Sequence, residues 1–251
     1  MPTDLKNKLY NWIMDLSKYE QKVFSQNGED GITMKLIEMI YDNHGNNYYV
    51  EFGVESGFEC NTRVLREKYG WSGLQMDGGF QNDAINLRQE FIMKENVVDL
   101  FKKYNVPSVI NLLSVDIDFN DFYCLKEILA NYKCDIIICE YNGTHLPDQD
   151  KIIKYDPRGR WDNTNYFGAS LLAFYNLGKK YNYTLVYCNE NGVNCFFVHD
   201  DIIRTKNLNI MDMGDITKIY KPSRYSWGPN GGHPQDPLFR EYITFNEAID
   251  L

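Results

Sequence analysis

The stretch "YTLVYCNENGVNCFFVHD", residues 183–200, decides the architecture. Two strand-like runs, "YTLVYCN" and "NCFFVHD", flank the four residues "ENGV". A loop that short joins antiparallel neighbours, so this is a hairpin. Upstream the pattern differs. Short apolar runs at "YYVEFGV" (48–54), "WSGLQMDGG" (71–79), "EFIMK" (90–94), "SVINLLSVDID" (108–118) and "CDIIICEYN" (134–142) alternate with helical patterns. Ile32, Leu36, Ile37 and Ile40 share one helical face. "RVLREKYG" (63–70), residues 82–90, "DFYCLKEILANY" (121–132) and "YFGASLLAFYNLGKKY" (166–181) also fit helices. Strands alternating with helices, several of them apolar throughout, make a parallel sheet covered on both faces. The expected fold is α/β and Rossmann-like: parallel strands ending in an antiparallel hairpin, with helices on both faces.

The chain has 251 residues, of which 43% are hydrophobic, enough for one large domain with a substantial core. Residues 1–22 read as an N-terminal helical extension, with Leu5, Leu9, Trp12, Ile13 and Leu16 on one face over 4–18. Residues 23–205 form the body, and 206–251 a C-terminal segment of the same domain that packs over the site. Trp12 can pack on its own domain or on a second copy of the chain, which leaves a homo-oligomer open. A net charge of −9 provides no basic field for nucleic acid. The six cysteines contain no C-x-x-C pair and lie mostly in apolar runs, as expected of reduced core residues in the cytoplasm. There is no signal-like N-terminus and no apolar run of about 18 residues, so neither secretion nor a membrane span is expected.

Open α/β sheets bind ligands beyond the carboxyl ends of their strands, near the switch point. "VEFGVESG" puts Gly53 and Gly57 in the loop after the first strand, just beyond Glu51, and glycine there permits close backbone approach or positive φ. This E-x-G-x-x-x-G spacing differs from the G-x-G-x-x-G of dinucleotide sites. Asp77 ends the next strand, where a carboxylate can accept both hydroxyls of a ribose. Either acid alone reads as a solvated loop carboxylate. Two at the ends of adjacent strands favour a cofactor carrying adenosine.

Dinucleotide-binding folds continue in parallel where class I methyltransferases finish with a hairpin, so the ending resembles the latter. "FSQNGEDGI" (24–32), "VEFGVESGFECNT" (50–62), "GWSGLQMD" (70–77), "LLSVDIDFNDFYCLKEIL" (112–129), "IICEYN" (137–142), "YDPRGRWDNTNYFGASL" (155–171) and "NGVNCFFV" (191–198) together resemble the FkbM-type methyltransferases over roughly residues 24–200. The resemblance implies S-adenosylmethionine as cofactor and O-methylation, often of a sugar or polyketide-linked hydroxyl. It implies that Gln26, Glu29 and Asp30 sit at the methionine end of the cofactor, with Glu51, Gly53 and Gly57 along it. Asp77 stands where many relatives have glutamate.

Moving a methyl group to oxygen requires removal of a proton from a weakly acidic hydroxyl, by a general base or by a divalent metal that acidifies it. Asp116, Asp118 and Glu140 end the fourth and fifth strands, with Asn142 and His145 close by in sequence. Converging carboxylates repel one another unless a cation joins them, and hard oxygen ligands suit Mg²⁺, Mn²⁺ or Ca²⁺. The resemblance supports a metal held by Asp116, Asp118, Glu140 and Asn142. The competing reading gives Asp116 to the cofactor, Asp118 to the cap of the next helix and Glu140 to an arginine. His145, His233 and Asp118 are candidate bases. Arg158, Arg160, Trp161, Tyr166 and Phe167 supply guanidinium forks and aromatic faces for a sugar or nucleotide-sugar substrate, or else form a packed surface loop. The tail "WGPNGGHPQDP" (227–237) can fold over the site and bring in His233.

The leading expectation is an O-methyltransferase for a nucleotide-activated or glycan-linked sugar in the synthesis of a capsule or other surface polysaccharide. The alternatives are a lipid or polyketide O-methyltransferase, and a domain that binds cofactor or glycan without turnover.

Overall fold

A computed structural model describes residues 13–42 and 47–251. Most of the helix expected over 4–18, including Trp12, lies outside those residues. Within its described end, Leu16–Tyr19 form a 3-10 turn rather than an α-helix, and Asp15 accepts the Ser17 amide as its cap. Met14 bridges to Ile210 in parallel, which ties the start of the described chain to the C-terminal segment.

The helices are α1 (Glu29–Ile40), α2 (Arg63–Tyr69), α3 (Val97–Lys103), α4 (Asp121–Asn131), α5 (Leu171–Lys180), α6 (Asp200–Lys206), α7 (Ile216–Ile219) and α8 (Phe245–Ala248). Seven strands form the main sheet: β1 (Tyr48–Phe52), β2 (Ser72–Asp77), β3 (Leu87–Gln89), β4 (Val109–Val115), β5 (Lys133–Glu140), β7 (Tyr183–Cys188) and β8 (Asn194–His199). A second, two-stranded sheet pairs β6 (Ile152–Ile153) with β9 (Tyr242–Ile243). The main sheet runs β3-β2-β1-β4-β5-β8-β7, with β1 to β5 parallel and β8 antiparallel to both its neighbours. This is the α/β, Rossmann-like sheet with a terminal hairpin that the sequence led one to expect.

Alternation along the strands explains why they read as apolar throughout. Val50, Leu113, Ile137 and Phe197 face one buried cluster, packed with α3, α4 and α5. Tyr49, Leu112, Ile136, Ile138 and Phe196 face the other, packed with α1 and α2. A central parallel strand buries both faces, so it has no polar side to show in the sequence.

The expected helix over 82–90 and strand over 90–94 are both corrected. Asn82 caps a 3-10 turn at Asp83–Ile85, Asn86 turns the chain at φ +54°, and β3 occupies 87–89. The Asn86 side chain donates to the Gly73 carbonyl at 2.7 Å, which holds this reversal against β2. Residues 90–93 then leave the sheet edge without regular structure. The sheet changes direction between β1 and β4, each flanked outward by its own run of strands, and the loops after β1, β2, β4 and β5 open on one crevice. Among the described residues, no helix is long and apolar enough to cross a membrane.

Candidate active site

At Gly53 the chain turns out of β1 with φ +66°, and a Cβ there would lie 1.6 Å from the Asp116 carbonyl oxygen. Only glycine lets the β1 loop touch the end of β4 so closely. Gly57, at φ +75°, packs instead on Ile85, 2.4 Å from where its Cβ would be, so it shapes the loop without lining the crevice. Asp77 ends β2 and accepts the Glu55 amide at 2.8 Å and the Gly79 amide at 2.7 Å. Those bonds fix the rotamer and leave each oxygen a lone pair for a ligand hydroxyl.

The crevice has two lobes that meet at Gly53, Asp77, Asp118 and Trp161. The smaller, about 380 Å³, lies between Gly78, Gly79, Phe91 and Ile92 on one side and Ile117, Phe119 and Arg160 on the other. The larger, about 500 Å³, is lined by Gln26, Asn27, Asp116, Glu140, Asn194, Tyr225 and His233, among others. Phe91, Ile92, Ile117, Phe119, Asn194 and Tyr225 were not singled out from sequence. The first two were hidden because "EFIMK" reads as a strand.

Asp116, Asp118 and Glu140 each bring a carboxylate oxygen within 4.8 Å of the others. None of the three side chains makes a hydrogen bond or ion pair with another described residue. Burial and then mutual repulsion push the Asp116 and Glu140 carboxyls well up; burial, followed by the charges of Asp77 and Glu55, raises Asp118. Asp118 also adopts φ +64°, a left-handed conformation that costs about 1 kcal/mol outside glycine. Two of the three competing roles assigned to this set are not seen. Asp121, not Asp118, accepts the Ile117 amide before α4, at 2.7 Å, and Glu140 has no arginine partner among the described residues. Three hard oxygen donors without a countercharge fit a divalent cation.

Other expected site residues are engaged elsewhere. Asp30 Oδ2 accepts the amides of Val23, Phe24 and Ser25 and the Ser25 hydroxyl, all at 2.7–2.8 Å. Glu29 accepts the Asn27 amide and the side-chain amides of Asn189 and Asn194. Neither lines the crevice; they hold its wall, while Gln26 and Asn27 between them do line it. Glu51 touches the large lobe, but its oxygens take the amides of Asn61 and Thr62 and the Thr62 hydroxyl, at 2.7, 2.9 and 2.5 Å. Burial still raises its pKa.

Asn142 is fully buried and used up: its NH₂ donates to the Asn165 and Phe167 carbonyls, and its oxygen accepts the Thr144 amide. The set Asp116, Asp118 and Glu140 therefore stands without it. His145 does not line either lobe; it is buried edge-on against Tyr242, and burial lowers its pKa to about 3. His233 does line the large lobe, boxed by Trp161 at 4.4 Å, Tyr225 at 4.9 Å and Phe167 at 5.6 Å between ring centres. Burial lowers its pKa. Phe167 thus backs His233 rather than facing the crevice. Tyr166 is buried against Phe119 and Tyr242, with its hydroxyl accepting the Lys154 amide. Arg158 is exposed away from both lobes, and Arg160 stacks over Phe91 at 5.4 Å.

No family model matches the chain, and no curated protein matches it. Among solved structures, one that resembles it is described as the structure of the citrinin polyketide synthase CMeT domain. Sequence identity is 9%, the TM-score is 0.36, and the match covers 70% of this chain and 54% of the other, about half its length. A likeness at that score carries no weight for activity.

Proposed function

We propose that the chain is a methyltransferase of the FkbM type, using S-adenosylmethionine to methylate a sugar hydroxyl. One observation carries this reading: Asp77 and the unpartnered carboxylates of Asp116, Asp118 and Glu140 flank the junction of two lobes at the switch point of the sheet. The smaller lobe suits adenosine. Asp77 would receive the ribose hydroxyls, while Phe91, Ile92, Ile117 and Phe119 enclose the base. Gln26 and Asn27 face the methionine end, and the acidic wall of the large lobe favours its cationic groups.

When bound, S-adenosylmethionine supplies an electrophilic methyl group on a sulfonium. The residues of the chain orient the acceptor and manage its proton. Trp161 and His233 offer ring faces against which a sugar can lie. Asp116, Asp118 and Glu140 would hold Mn²⁺ or Mg²⁺ beside the acceptor hydroxyl, or one of them would take its proton as the oxygen acquires the methyl group. The exposed placement of Arg158, and the stacking of Arg160 on Phe91, leave the large lobe without a guanidinium fork.

The test is calorimetric titration with S-adenosylhomocysteine, before and after EDTA treatment and with Mn²⁺ or Mg²⁺ restored. Binding supports the cofactor assignment; no binding under any of these conditions removes it.

A further inference from the structure

The large lobe has an unusual chemical balance. Seven carboxylates line it, and no lysine or arginine does. Lys22 pairs with one of them, Glu59, at 2.6 Å, and a divalent ion on the three clustered acids would offset only two more of those charges. The neutral polar groups lean the same way. Asn194 is buried at the lobe wall; its NH₂ is held by Glu29, and its side-chain oxygen has no partner. A buried amide oxygen without a donor costs free energy until a ligand supplies one. The walls therefore offer many hydrogen-bond acceptors and few free donors. Beside them stands the aromatic box of Trp161, Tyr225 and His233.

A phosphate is the wrong guest for such a space. It carries only acceptors and negative charge, so it needs arginine, lysine, a cluster of backbone N–H groups or a bound cation, and the lobe stays net negative even with one divalent ion on the three acids. An uncharged sugar is the opposite, with a hydroxyl donor on nearly every carbon and an apolar face for a ring. Resting on the methyltransferase reading above, we infer that the acceptor is an uncharged glycosyl unit and that the lobe rejects nucleoside diphosphate sugars. Of the two acceptor states left open by the sequence, the glycan-linked one fits. Methylation would then follow glycosyl transfer, after the nucleotide has departed.

The experiment is a calorimetric panel on the full chain saturated with S-adenosylhomocysteine, with and without Mn²⁺. It pairs uncharged oligosaccharides with nucleoside diphosphate sugars carrying the same terminal residues. Binding confined to the uncharged set, at least 100-fold tighter than any nucleotide form and weakened tenfold or more in Trp161→Ala, is expected. Comparable or tighter binding of a nucleoside diphosphate sugar overturns the inference, and so does failure of every uncharged sugar to bind. S-adenosylhomocysteine binding is read separately in the same instrument. Its failure would strike the methyltransferase reading, whereas a nucleotide-sugar result would strike only the acceptor class.

Discussion

Two sets of carboxylates serve one cleft, one behind its wall and one lining it, and have opposite environments. Asp30 and Glu29 receive, between them, four backbone amides as well as hydroxyl and side-chain amide donors. Asp116, Asp118 and Glu140 receive none. The first set closes a loop, since a carboxylate with a full complement of donors is a structural fastener. The second set is held together against its own repulsion by the strands that carry it. A fold maintains such an arrangement at the expense of stability where a ligand will later supply the missing positive charge. Asp77 is intermediate, with two backbone donors and spare lone pairs facing the crevice.

The contrast breaks first at Asp30. Asp30→Ala leaves three amides and a hydroxyl without their acceptor, a loss of about 3–5 kcal/mol that should lower Tm by about 10 °C. An unchanged melting curve would dissolve the distinction between the two sets. Asp77→Ala should raise the Kd for S-adenosylhomocysteine about tenfold, about 1.4 kcal/mol, with little change in Tm. Equal affinity would take Asp77 out of the ribose role.

Glu140→Gln should move stability the other way. Removing one of three repelling charges is expected to raise the Tm of the ligand-free protein by about 2–4 °C, the equivalent of about 1 kcal/mol for a domain of this size, while methyl transfer is lost. Mn²⁺ should then stabilise the wild type but not the variant; a variant that melts lower without ligand contradicts the repulsion.

The last test concerns pH dependence. Asp121 is pushed up to about 7 by burial, and Asp116 and Glu140 are raised as well. A carboxylate whose folded pKa exceeds its unfolded value, about 4, binds protons more tightly in the folded state. The ligand-free protein should therefore gain stability as pH falls from about 7 toward 4. Below that the sign reverses, because Asp236 is lowered to about 2 by Arg240, and its contribution disappears as pH falls from about 4 to 2. Melting temperatures measured across pH 3–8 should pass through a maximum on the acid side, and a curve that rises steadily to pH 8 would refute it.

The sheet was legible because strand content depends on composition over several residues. The order of runs and the short "ENGV" turn were enough to place four of the five parallel strands and the closing hairpin. The stretch 82–94 was not legible, since a three-residue strand between an asparagine-led turn and a loop carries too few side chains to show a period. In the site, glycines and strand-end acids were legible by position: Gly53, Asp77, Asp116, Asp118 and Glu140 all reach the crevice. Glu29, Asp30 and Asn142 were misread for a different reason. Whether a polar side chain faces a ligand or a backbone amide depends on chain segments it meets only after folding, and Asn142 meets residues more than twenty positions away.

The tail separates two tasks that a single loop would mix. It is anchored by β9 against β6 and by the pairing of Arg240 with Asp162, and among the lining residues it contributes only Tyr225 and His233, both in the large lobe. The small lobe is built from residues 53–161 alone. On the methyltransferase reading, evolution or a protein engineer can therefore rewrite the span between those two rings and change the acceptor while the adenosine side stays untouched, as one changes the jaw of a tool and keeps the handle.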